Sequence, residues 1–177
     1  MAVPTEKTWA TRDAVSSTNL NAGVRDPLTF LMQRPTVQLR QTVAQNVTNS
    51  TWTALTFTTG EDIDSHGGHD TASNTSRYTA QEDGWYRFSG AVAFESNATN
   101  RRLTRWAKNG TEVSGSRIDT GAVSGGESIY PVRTMVISLS VGDYVELQGW
   151  QNSGATRATI VTAEMQSTLT GLWERRL

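Results

Sequence analysis

The chain has 177 residues, 16 Lys+Arg against 17 Asp+Glu for a formal charge of -1, and 36% hydrophobic residues. So even a balance excludes a global field that would draw nucleic acid or an anionic membrane. No cysteine is present, which removes disulfides and thiolate chemistry, and no apolar run approaches the roughly 20 residues that span a bilayer.

The N-terminal stretch MAVPTEKTWATRD lacks the apolar core of a secretory signal, so synthesis in a cytoplasm is expected. Ser16, Ser17 or Thr18 can cap a helix whose apolar residues Leu20 and Val24 sit four apart. Pro27 is expected to end it, and Asp26 as N-cap with Pro27 at the first position restarts a short helix through Leu28, Phe30, Leu31 and Met32. Pro35 closes this segment, residues 1–35. It is too small to bury its own apolar face, so Trp9, Leu20, Val24, Leu28 and Phe30 need another surface: the chain's own remainder, another copy or another protein.

From Thr36 the pattern changes to short strands with turn punctuation. Candidates are Thr36–Thr42, Thr51–Phe57, Arg77–Thr79, Trp85–Phe94, Arg102–Lys108, Thr111–Arg117, Tyr130–Ser140, Tyr144–Gln151, Thr156–Met165 and Leu169–Glu174. In the clearest, Tyr86, Phe88, Gly90, Val92 and Phe94 share one face, and Trp85, Arg87, Ser89, Ala91 and Ala93 share the other. Asn109-Gly110 supplies the residues of a type I′ turn, so the next segment folds back antiparallel. About ten strands without helical period between them fit an all-β closed sandwich or barrel over residues 36–177, with loops at Thr58–Ser76 and Thr120–Glu127.

Residues with chemistry to offer are few. In the loop Asp62–Asp70, His66 and His69 stand three apart among Asp62, Asp64 and Asp70, a set that suits zinc, nickel or calcium. Both histidines of the chain lie there, which leaves little for a Ser-His-Asp arrangement, and no phosphate-cradling glycine loop is present; no enzyme activity and no cofactor are expected. Arg102 and Trp106 fall on one strand face and Arg101 and Arg105 on the other, which divides the only basic patch. Trp150, Gln151 and Asn152 have the composition of a sugar-binding strand end and form a candidate glycan site.

Three segments, GWYRFS at 84–89, WAKNGTEV at 106–113 and SLSVGDYVELQ at 138–148, resemble the jelly roll shared by complement globular heads and tumour-necrosis-factor cytokines. That resemblance implies a ten-stranded antiparallel jelly-roll sandwich that forms a homotrimer. The leader, TWATRDAVSSTNLNAGVRDPLTFLMQRP, is similar to the N-termini of small virion proteins of tailed phages of actinobacteria, described as minor tail proteins, fibres or head appendages. Together the two resemblances imply a structural virion protein made in a bacterial cytoplasm. It would be a trimeric knob fixed to a capsid or tail protein by residues 1–35, with host-surface glycan binding as the alternative and neither nucleic acid nor membrane as partner.

Overall fold

The computed structural model describes residues 3–123 and 125–177. Within its leader, residues 17–32 form a continuous helical rod: α1 (Ser17–Leu20), a π-turn over Asn21–Arg25, and α2 (Asp26–Met32). Ser16 caps it, with its side chain accepting from Asn19 N. The break expected at Pro27 does not occur. Arg25 keeps helical angles, φ -59 and ψ -52, and Asp26 donates its backbone N–H to Asn21 O rather than acting as a cap. Proline lacks an N–H and crowds the carbonyl four residues back; a wider preceding turn relieves both problems without ending the rod.

The remainder is a sandwich of two antiparallel sheets. The first has five strands in the order β10 (Ser128–Leu139), β6 (Gly84–Phe94), β13 (Thr168–Arg175), β1 (Thr36–Arg40), β4 (Glu61–Asp64). The second runs β3 (Thr53–Ala54), β11 (Tyr144–Gln151), β7 (Arg101–Lys108), β8 (Thr111–Glu112). To it β5 (Arg77–Thr79) adds on β11, and β9 (Ile118–Gly121) adds on β7. A small pair, β2 (Asn46–Val47) with β12 (Arg157–Ala158), closes one end.

Period-two alternation places the core. Tyr86, Phe88, Val92 and Phe94 of β6 meet Trp106 of β7 and Val145 and Leu147 of β11, all fully buried. Trp106 lies 5.6 Å from Phe88, and its indole N–H donates to Arg133 O at 2.8 Å. Leu39, Leu55, Phe57, Tyr78 and Leu169 complete the layer.

Three segments differ from expectation. The loop Thr58–Ser76 contains β4, which pairs with the edge of β1 although none of its residues is buried, helped by the Arg40–Asp62 ion pair at 2.7 Å. Thr111–Arg117 is a strand only over Thr111–Glu112, because Gly115, at φ 77, turns the chain toward β9. Most of Thr156–Met165 is irregular, held by isolated bridges such as Phe94 with Thr159.

Candidate interaction surfaces

The outward faces of the two sheets differ in kind. On the second sheet, Arg105 is stacked 4.0 Å from the Trp52 ring, donates through Nε to Gln148 Oε1 at 2.8 Å and through Nη1 to Glu112 Oε2 at 2.7 Å. Arg117 joins the same carboxylate and also lies over Trp52. Hydrogen bonds first from Arg117 and then from Arg105 hold the Glu112 carboxyl below its ordinary pKa. Further along, Arg77 stacks 4.0 Å from the Tyr144 ring and reaches Glu146 Oε1 at 3.1 Å, where Ser76 Oγ also donates. Arg101 pairs with Asp119 at 2.7 Å. This face is closed by its own side chains.

The first sheet turns a barer face outward. Strand registry aligns three rows across it: Ile63, Gln38, Thr170; then Thr36, Leu172, Arg87, Val136; then Arg40, Thr168, Ala91, Pro131. Arg87, opposite Leu172, pairs with Glu174, and Arg40, opposite Thr168, pairs with Asp62; these neutralised pairs flank a stretch made of Ser89, Ala91, Thr168, Thr170 and Leu172. Ile63, Ile129 and Val136 are 45%, 44% and 49% exposed. A stretch of small uncharged residues with exposed aliphatics on the sheet's edge strands has the makeup of a protein–protein contact.

The leader docks on the sandwich at both ends: Val3 packs against the core and donates its N–H to Glu82 Oε2 at 3.0 Å, and Phe30 inserts from α2. Phe30 is 2% exposed and meets the Trp173 ring edge-on at 5.0 Å, with His66 on another side at 6.3 Å. Phe30 therefore fixes the leader to its own chain and does not serve as an outward anchor, a correction to the five-residue set expected from sequence. Leu20, Val24 and Leu28 remain 44%, 46% and 54% exposed. Trp9 lies across Gly23, where an added Cβ would come within 2.8 Å of its ring, and Lys7 sits over it at 4.8 Å.

The Asp/His loop is occupied by its own backbone. His69 is 8% exposed, with Nδ1 2.9 Å from Arg77 O and Nε2 2.8 Å from Phe57 O, so neither ring nitrogen turns a lone pair outward. Asp64 accepts from the backbone N–H of His66 and His69, and Asp70 from those of Ala72 and Ser73, which lowers the Asp70 pKa. His66 Nδ1 contacts Ser65 Oγ at 3.0 Å. Among the described residues no three such groups converge on a metal position, which overturns the reading of His66 and His69 as a metal pair.

The residues of the glycan candidate also part company. Gln151 is fully buried, donating to Val47 O and Ala155 O, while Asn152 accepts from Arg101 N. Trp150 is half-buried, its ring 6.3 Å from that of Trp52. Alternation along β11 separates neighbours that composition had grouped. The Arg101/Arg102 division does hold: Arg102 is 1% exposed and its guanidinium is bound by Thr99 O, Arg101 O and Asn97.

Sequence reasoning missed one polar junction. Asn109 and Gly110 both have positive φ, 50 and 78, as a type I′ turn requires. Asn109 Nδ2 donates to Asp143 Oδ1 at 2.7 Å, its Oδ1 accepts from Tyr144 N at 2.9 Å, and Lys108 Nζ meets Asp143 Oδ2 at 2.8 Å. The two turn motifs are thus one clamp. Lys108 first, then Asn109 and the Ser140 N–H, hold the Asp143 carboxyl down to about 2.

No family model matches the chain, and no curated protein matches it. Its structure is similar to crystal structures of murine APRIL and to a structure of Eiger TNF from S. frugiperda. The murine APRIL structure at pH 5.0 has TM-score 0.58 and 11% identity, covering 78% of this chain and 98% of that one. The Eiger structure has TM-score 0.58 and 9% identity, covering 81% and 96%. At such identity the likeness establishes the fold: a jelly roll of the tumour-necrosis-factor kind.

Proposed function

We propose that this chain is a structural component of a tailed-phage particle, a knob of three copies attached to capsid or tail through its N-terminal segment. The observation that carries it is the contrast between one self-closed sheet face and one open face of Ser89, Ala91, Thr168, Thr170 and Leu172. An open face of that kind is stabilised when another copy covers it, and the jelly-roll resemblance implies closure at three. The exposed leader residues Leu20, Val24 and Leu28 then remain for a second contact, and the virion-like wording of the leader supports a particle as its destination.

No catalytic step is part of this reading: binding and assembly follow from surface burial alone. The test is quantitative mass spectrometry on particles purified from the strain that encodes the chain. A copy number that is a multiple of three supports the reading, and absence of the chain from particles rejects it.

A further inference from the structure

The leader rod carries two apolar sides with different jobs. Phe30 points into the sandwich, whereas Leu20, Val24, Leu28 and Met32, at steps of four residues, are 44%, 46%, 54% and 85% exposed. In an unbroken α-helix each step of four advances about 40°, so Leu20 and Met32 would diverge by roughly 120°. The wider π-turn over Asn21–Arg25 gives back part of that drift and draws the four side chains toward one stripe. Phe30, two residues from both Leu28 and Met32, lies about 200° away, on the opposite side.

We infer that this rod is a two-sided adaptor, held to its own sandwich by Phe30 and seating the stripe Leu20, Val24, Leu28 and Met32 in an uncharged apolar furrow on a protein of the particle. It rests on the virion reading above and specifies the partner's chemistry. Charge decides that chemistry. Between Ser17 and Met32 the only ionised side chains are Arg25 and Asp26, which pair with each other at 2.7 Å. A lipid surface selects Lys- and Arg-rich helices, and this rod has no unpaired cation to offer. An acidic or basic protein groove gains nothing either. Four side chains are also far fewer than the roughly 20–30 residues per side of a standard stable interface, so one rod binds weakly and firm attachment needs several rods on one knob acting together. The contact is apolar and should resist salt.

The test compares particles made with the wild-type chain, with Val24→Asp/Leu28→Asp, and with Thr18→Asp as an exposed control off the stripe. Copies per particle should fall at least tenfold in the double variant and stay unchanged in Thr18→Asp, and 1 M salt should not strip the wild-type chain. Circular dichroism and solution mass of the purified variants should match wild type. Wild-type occupancy by the double Asp variant would overturn the stripe as the contact while leaving the virion reading intact. A change in solution mass would assign the stripe to a second copy, and wild-type-only binding to anionic phosphatidylserine vesicles would assign it to lipid; either outcome overturns the inference. Absence of the wild-type chain from particles removes the virion reading and this partner with it.

Discussion

The two sheets share one core and the same alternation, yet their outer faces have opposite characters. On β7 and β11 long charged side chains lie flat over tryptophan and tyrosine rings and neutralise one another. On β6 and β13 such cover is confined to one end, where Arg87 pairs with Glu174 and Arg175 lies over Trp85, and the positions beyond it are the uncharged Ser89, Ala91, Thr170 and Leu172. A face that folds its own side chains down is finished as a surface of the single chain. One that keeps them short leaves backbone and small apolar groups for another body to cover, and the proposed self-association is assigned to that face on this difference.

The strongest way to break the contrast is to remove what both faces rest on. Trp106→Ala empties the largest fully buried side chain and orphans Arg133 O. It should cost about 3–5 kcal/mol in denaturant unfolding and abolish both surfaces together. Leu172→Asp sharpens the contrast by placing a charge in the middle of the open face. Association should weaken at least tenfold by light scattering, while far-UV circular dichroism of the separated chain stays native. On the closed face, Trp52→Ala unstacks Arg105 and Arg117 and should cost about 1 kcal/mol without changing the oligomer.

The smallest effect concerns the Asp143 clamp and depends on pH. Its carboxyl falls from 3.8 to about 2 on folding, so the folded chain holds that proton less tightly than the unfolded one. The clamp's stability is therefore fully present above about pH 4 and is lost as pH drops through about 2. Asp143→Asn should lower the melting temperature by a few degrees at pH 6, and that difference should shrink toward pH 2. A difference independent of pH would assign the loss to packing rather than charge.

Much of this architecture was legible in the residues and some of it was not. Alternation from Tyr86 to Phe94 announced both the strand and its inner face, because a half-buried sheet imposes period two on its own sequence. What covers the outer faces could not be read that way: Trp52, Arg105, Glu112 and Arg117 meet only through the fold. His69 looked like a ligand because its loop is polar, but Gly68, where a Cβ would strike Tyr78, lets the imidazole turn inward to two carbonyls. Pro27 looked like a helix end because local rules allow no wider turn before it, and the π-turn supplied one. The Lys108–Asn109–Asp143 clamp joins residues 34 apart, and each motif was visible while their bond was not.

Self-association through the open sheet is tested most directly by the absolute mass of the wild-type chain in solution, followed by light scattering over a wide dilution range. A mass three times the 19.4 kDa of one chain, falling to one chain in Leu172→Asp, is the expected result. A single-chain mass at every concentration, with the β6 and β13 face open to solvent, would contradict it.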